Sequence, residues 1–317
     1  MPTKDATNIR QRRSDKGKSV FSSDEELLKK ALGPGKHRIW IRSVVILSVM
    51  ILVYFYTRKE KETKFAQAKE DIILRVQRFD CSESYLSEIN DFSKCVPKHC
   101  GRFVTDSLVD SMEIEKLREI ASKGFELSQS SGGASIIDLH TGAISHGENF
   151  VNLYKLEKAK GLFKKEHLLT YKLVKEKIKT AIADRFEIDQ KHLFLTFPTF
   201  FSKITNETAK TVHDEYWHPH VDKKTYESFH YTSLLYLSDF GKDFKGGRFR
   251  FIDGGENEEK PKKFSYVEPK KGRLSAFTSG EENVHNVEMV EEGERLAITI
   301  SFTCNEKFAI ADPKLEG

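Results

Sequence analysis

The stretch HNVEMVEEGERLAITISFT, residues 285–303, decides how this chain folds. From Arg295 onward, Leu296, Ile298, Ile300 and Phe302 alternate with Arg295, Ala297, Thr299 and Ser301, the period-two pattern of a strand with one apolar face. His285 shares the parity of the second set, and the acidic, glycine-bearing turn at 291–294 predicts a hairpin that aims His285 and Arg295 at one interior. Upstream, HPHVD at 218–222 sets His220 two residues before Asp222. On a strand, positions i and i+2 share a face, so both side chains can meet one ion, whereas adjacent residues point oppositely. Two imidazoles and one carboxylate suit a facial iron(II) site, because that metal must keep positions open for substrate and dioxygen.

Five more strands are expected before this one, at 193–197, 231–237, 248–252, 273–278 and 285–289. Helical spacing marks two elements ahead of them. Asp110 and Glu113 form a capping signature for a helix that turns Ile114, Leu117, Ala121 and Phe125 inward. A second helix, from Lys165 to Phe186, presents Val174, Ile178, Ala181 and Ile182 on one face. Between them, Gly132 and Gly133 mark a turn and Ile136 and Ile137 a strand. Helices followed by many short strands indicate an α+β domain over 101–317, with its strands in a double-stranded β-helix, or jelly roll, and the helices flanking it.

The order HxD, distant His, then Arg ten positions later resembles the iron(II) and 2-oxoglutarate-dependent dioxygenases, and within them the prolyl 4-hydroxylase-like group. Here those residues are His220, Asp222, His285 and Arg295. The likeness extends to Tyr236, Leu237 and Ser238, to the turn Gly246, Gly247, Arg248 and Phe249, and to the strings GGASIIDL (132–139), FVNLY (150–154) and HDEYWHPHV (213–221). It covers roughly the last two-thirds of the chain.

The resemblance implies that His220, Asp222 and His285 hold Fe(II) and that Arg295 grips the far carboxylate of 2-oxoglutarate, for which a planar guanidinium fork is suited. Thr199, Tyr231 and Thr232 are further candidates for hydrogen bonds to that co-substrate, on strand proximity alone. The implied reaction turns 2-oxoglutarate into succinate and carbon dioxide while hydroxylating an unactivated C–H bond. Ascorbate is implied as the reductant that rescues oxidised iron, and a prolyl or lysyl side chain of a secretory protein as the substrate.

Rival ligands lie close by. His213 with Glu215 forms an HxE pair, and His218 shares a face with His220 on a strand; neither falls in the family's register. Asp214, Tyr216 and Trp217 are expected at the rim. For Arg295 the bland alternative is a surface arginine paired with Glu291, Glu292 or Glu294. Two other functions compete with the dioxygenase: a non-catalytic jelly-roll module that binds peptide or glycan, and a zinc hydrolase built on the same side chains.

Composition sets the remaining bounds. At 317 residues, 38% hydrophobic and 32% charged, the chain can bury one main core. A net charge of +4 with interleaved signs gives no basic stripe, which argues against nucleic acid as a partner. Residues 1–38 are polar and aperiodic, a disordered cytoplasmic tail. Residues 39–57 are nearly continuous in apolar side chains, with Trp40, Tyr54, Phe55 and Tyr56 at the ends, and predict an uncleaved transmembrane signal anchor. A buried core helix and a cleaved signal peptide are the alternatives weighed.

Flanking charge does not orient such an anchor. All four cysteines, Cys81, Cys95, Cys100 and Cys304, follow it, as does the glycosylation acceptor Asn206 with Glu207 and Thr208. Both features point to a single-pass type II protein with its catalytic domain in the endoplasmic reticulum or Golgi lumen. Within 58–100, Phe65, Ala68, Ile72, Val76 and Phe79 suit an amphipathic stalk helix, either packed on its own domain or self-associating into an oligomer. Cysteines 81 to 100 then suggest a disulfide-pinned loop. Pairing of one of them with Cys304, or a zinc site, stays open from spacing alone.

Overall fold

The computed structural model describes residue 30 and residues 38–54, 61–130, 132–253 and 263–313. They fall into two compact units, Met1–Glu60 and Lys61–Gly317. In the first, a helix over 38–54 has every side chain exposed. No helix among the described residues is long and apolar enough to cross a membrane, which overturns the anchor expected at 39–57. Helical rise gives that helix a reach of roughly 25 Å against a hydrocarbon core of about 30 Å, and Arg38 and Arg42 lie within it. Residues 55–57 of the expected anchor, and nearly all of the expected tail at 1–38, lie outside the described residues.

The second unit is a mixed α/β fold with jelly-roll-like sheets. Its larger sheet runs, in spatial order, Arg75–Phe79, Cys100–Thr105, Leu274–Thr278, Tyr231–Tyr236, Arg295–Thr303, Phe194–Ile204, Ala134–Ile137, Ala143–Gly147 and Gln129–Ser130, with Asn149–Asn152 also paired to Ala143–Gly147. The smaller sheet is Lys61–Ala66, Lys263–Val267, Phe249–Asp253 and His285–Val287. A short hairpin pairs Phe244–Gly246 with Val290–Gly293.

Alternation along Arg295–Thr303 sorts two cores, as its sequence requires. Ile298, Ile300 and Phe302 join Leu235 in a cluster with Leu117, Ile120 and Ala121 of the helix Ser111–Phe125 and Val174, Ile178 and Ile182 of the helix Lys165–Phe186. Burial of each such side chain contributes about 1.5–3 kcal/mol. Ala297, of the opposite parity, faces between the sheets with Val104, Leu234, Tyr236, Phe249, Phe251 and Phe277. The cap works as its residues imply: the Asp110 carboxylate accepts from the Glu113 amide at 2.9 Å, and the Glu113 carboxylate accepts from the Asp110 amide at 2.9 Å.

Strands replace the stalk helix expected over 58–80. Lys61–Ala66 pairs parallel with Lys263–Val267, and Arg75–Phe79 pairs antiparallel with Cys100–Thr105. Each adds an outermost strand to a sheet edge and pairs along one side, which a brief run of five apolar positions does not outweigh. Disulfides join Cys81 to Cys100 and Cys95 to Cys304, the second tying the start of the unit to its last strand.

Candidate active site

His220 and His285 exchange two backbone hydrogen bonds, of 2.9 and 3.0 Å, as an isolated antiparallel bridge at the edge of the smaller sheet. That bridge sets their rings 4.4 Å apart between centroids. Asp222 is not on a strand, contrary to the reading of HxD as one extended segment. It opens a short helical turn, Asp222–Thr225, after the extended Val221. The turn brings its Oδ1 to 3.5 Å from His220 Nε2 and 3.4 Å from His285 Nε2. One ligand atom from each of the three residues lies within 4.8 Å of the others.

Every remaining polar atom of the triad has a partner. His220 Nδ1 meets the His218 carbonyl at 3.0 Å and His285 Nδ1 meets the Asn283 carbonyl at 2.8 Å. Each contact places a proton on Nδ1, so Nε2, which faces the Asp222 carboxylate, is the nitrogen that would lose its proton and bind a metal. Asp222 Oδ2 accepts from the Thr232 hydroxyl at 2.6 Å, which also contacts Ser279 Oγ at 2.9 Å, so Oδ1 is left for the ion. Burial opposes charge on Asp222, but the neighbouring His285 and His220 outweigh it and hold the carboxyl well below the usual range. For His220, burial works downward and the Asp222 carboxylate lifts the pKa above its ordinary value. Phe249 stacks on His285 at 5.0 Å and Phe277 meets its edge at 4.9 Å, walling that ligand from water.

Further along the interior, Thr232, Leu234 and Tyr236 of one strand lie opposite Ser301, Thr299 and Ala297 of the next. Arg295 continues that face and is 1% exposed. Its Nε donates to the Gly247 carbonyl at 2.9 Å, and its guanidinium stands 5.4 Å from the Tyr236 ring centre. Gly246 and Gly247 both have positive φ, and a Cβ on Gly246 would sit 2.3 Å from the Met289 carbonyl oxygen, so this turn admits little else. Arg295 Nη2 and the Tyr236 hydroxyl are buried without a hydrogen-bond partner among the described residues. Burial drives the Arg295 pKa down, and drives that of Tyr236 up to about 12.

The rival readings find other partners. Lys203 takes Glu294 and Lys245 takes Glu292, and no carboxylate among the described residues pairs with Arg295. The Glu215 and His218 side chains bind each other at 3.0 Å in an exposed pair. Of the three extra co-substrate candidates, none offers a free hydroxyl to the interior. Thr199 donates to the Thr196 carbonyl and accepts from the Ser301 amide at the strand irregularity, Tyr231 donates to the Cys95 carbonyl, and Thr232 serves Asp222. Asn206 is exposed in the loop after Phe194–Ile204. Sequence reasoning did not name Tyr236 among the candidate co-substrate contacts, although its parity with Thr232 and Leu234 places it on the same face.

Residues 207–303 match the 2OG-Fe(II) oxygenase superfamily. The Xenopus tropicalis 2-oxoglutarate and iron-dependent oxygenase domain-containing protein 3 is 49% identical over 283 residues, 87% of this chain and 86% of that one. The chain belongs to the 2OG-Fe(II) oxygenase superfamily. Its mouse relative of the same name is 51% identical over 237 residues, 74% of this chain and 73% of that one. Human prolyl 3-hydroxylase 2 is 42% identical over 73 residues, 23% of this chain and 9% of that protein. As a member of this superfamily the chain is a 2-oxoglutarate-dependent dioxygenase, which displaces the non-catalytic module and the zinc hydrolase.

The dioxygenase's two co-reactants fit what the chain provides. Two Nε2 atoms and one shielded carboxylate oxygen match a facial iron(II) donor set, and the orphaned donors of Arg295 and Tyr236 match a buried carboxylate. Iron(II) bound there supplies dioxygen activation, with 2-oxoglutarate as the source of electrons. Arg295 and Tyr236 would orient the co-substrate, Thr232 holds the Asp222 carboxylate in register, and Leu234, Ala297 and Phe249 pack apolar surface between the sheets.

Proposed function

We propose that this dioxygenase hydroxylates a side chain of a polypeptide, prolyl or lysyl in type, inside an oxidising secretory lumen, with ascorbate keeping its iron reduced. The observation that carries the substrate class is the asymmetry of the triad. His220 is 40% exposed at its side chain, while Asp222 is 8% and His285 5% exposed, so the site opens to the surface on the His220 side alone. Trp217 with His218 at 5.7 Å, and the part-exposed Tyr226 stacked on Phe229 at 4.8 Å, supply aromatic faces close in sequence to this edge. An open mouth with flat apolar walls suits a ring or stem presented on a chain, and the partial likeness to prolyl 3-hydroxylase 2 points the same way.

Two disulfides and an exposed Asn206 acceptor triplet support the oxidising compartment. The test is to incubate the purified chain with iron(II), 2-oxoglutarate, ascorbate and a library of proline- and lysine-containing peptides, reading succinate and the peptide mass together. A peptide that gains one oxygen with matching succinate is the expected result. Succinate formation coupled only to small metabolites or sugars, with no peptide modified, overturns the substrate class. Glycosidase treatment of cell-derived protein checks the compartment: unchanged mobility removes Asn206 as support.

A further inference from the structure

The loop at 278–283 touches each buried member of the triad's support. Asn283 offers the carbonyl that holds His285 Nδ1, and Ser279 Oγ meets the Thr232 hydroxyl that holds Asp222. The Ser279 carbonyl accepts from the Lys223 amide at 3.1 Å, fixing the turn that Asp222 opens. This loop is clamped from outside by the two residues that adjoin one disulfide. Ser82, next to Cys81, donates through Oγ and its amide to Glu282 Oε2 at 2.9 and 3.3 Å. Gly101, next to Cys100, accepts from Asn283 Nδ2 at 3.1 Å and donates its amide to Thr278 Oγ1 at 3.2 Å. Glu282 Oε1 in turn accepts from that Thr278 hydroxyl, closing the circuit.

We infer that the Cys81–Cys100 disulfide and Glu282 form a clamp that sets the iron(II) affinity of the triad, Glu282 acting as a positioning residue through the 278–283 loop. Iron retention is thereby tied to the oxidation state of that bond. Of the two disulfides it is the one solvent reaches from one side: Cys81 is half-buried although Cys100 is 0% exposed, whereas Cys95 and Cys304 are both buried, at 0% and 5%. A dithiol reductant supplies two electrons and two protons; the S–S bond breaks, Cys81 and Cys100 become thiols, and the reductant closes to its own disulfide. The segments carrying Ser82 and Gly101 then lose their common anchor, and the loop that aims His285 and backs Asp222 loosens. Partners one step removed from a metal change its affinity by roughly 10- to 100-fold.

This inference rests on His220, Asp222 and His285 being the iron site, so His285→Ala is measured alongside. The experiment titrates the full chain with iron(II) anaerobically, oxidised and after dithiol treatment, and repeats it for the double variant C81S/C100S and for E282Q. Cobalt(II) at saturation gives a ligand-field spectrum for each, a readout that general loss of stability does not move. The expected result is about tenfold weaker iron(II) binding for the reduced protein and for C81S/C100S, a smaller loss for E282Q, and an altered cobalt spectrum in all three. E282Q keeps one acceptor and removes no cross-link, so it reports even where the cysteine variant does not fold. Native iron(II) affinity and a native cobalt spectrum in E282Q and in the reduced protein overturn the clamp, whereas native affinity in His285→Ala overturns the site.

Discussion

Two regions of the interior between the sheets are finished to different degrees. At the metal end each ligand's second polar atom has a partner: His218 and Asn283 carbonyls for the imidazoles, Thr232 for the carboxylate. At the other end Arg295 Nη2 and the Tyr236 hydroxyl have none among the described residues. The metal end is therefore pre-organised and needs little rearrangement on binding, while the arginine end carries an uncompensated buried cation until an anion arrives. A co-substrate with a chelating head and a distal carboxylate would complete both ends at once, serving as ligand and counter-ion in one molecule.

The largest expected effect breaks the comparison at its metal end. Asp222→Ala removes the only anionic ligand, and iron(II) affinity should fall beyond the roughly 100-fold typical of second-layer changes. Metal analysis after dialysis checks this; undiminished occupancy would remove Asp222 from the site. Next, Arg295→Met should weaken 2-oxoglutarate binding by about 3 kcal/mol, on the order of 100-fold, and leave iron(II) affinity within about threefold. Without co-substrate the same variant should be more stable than the parent by about 1 kcal/mol or more, because an unpaired buried charge is gone. Calorimetry and thermal unfolding of the metal-free chain read these two opposite signs. A destabilised Arg295→Met would show that packing, not charge, decides this end.

A finer change separates charge from hydrogen bonding. Tyr236→Phe keeps the ring beside Arg295 and deletes the orphaned hydroxyl, so 2-oxoglutarate affinity should drop by about 1 kcal/mol, while the free chain gains about 1 kcal/mol of stability because an unsatisfied buried hydroxyl is gone. An affinity equal to the parent's would leave Arg295 alone as the carboxylate's anchor.

Much of this arrangement was legible in residues alone, for physical reasons that also mark where legibility ended. Parity along 295–303 assigned both faces of one strand correctly, because a two-residue period admits no third option once one face is apolar. The Asp110 cap and the bounds of the helix Lys165–Phe186 were equally local. Sheet edges were not: Lys61–Ala66 finds its partner about two hundred positions away, at Lys263–Val267, and nothing in its own spacing announces that. The same holds for the disulfide partners, set by where strands bring the cysteines, and for the apolar run at 39–57, where hydropathy alone predicted a span. At the site, the meeting of His220, Asp222 and His285 was readable from type and order, but the helical turn that presents Asp222 and the orphaned hydroxyl of Tyr236 depend on contacts between distant strands.

The smallest effect sharpens the contrast through pH. Behind the metal end, His230 is 2% exposed, its carbonyl accepts from Tyr85 Oη and the Ser279 amide, and its Nδ1 accepts from the Cys304 amide at 3.2 Å. Burial, helped by the charge on Lys223, lowers its pKa to about 3. The unfolded chain takes up a proton near pH 6.5 that the folded one refuses, so this residue's contribution is intact above that pH and is lost as pH falls towards about 3. The slope should approach 1.4 kcal/mol per pH unit at most, about 1 kcal/mol between pH 6.5 and 5.5. Asp222, with its depressed carboxyl, contributes a separate loss only below about pH 4. His230→Asn should flatten the upper window of a pH series of thermal unfolding and leave the lower one. A series for the parent already flat between pH 6.5 and 5 would show that water reaches this histidine and that the metal end is less closed than its contacts imply.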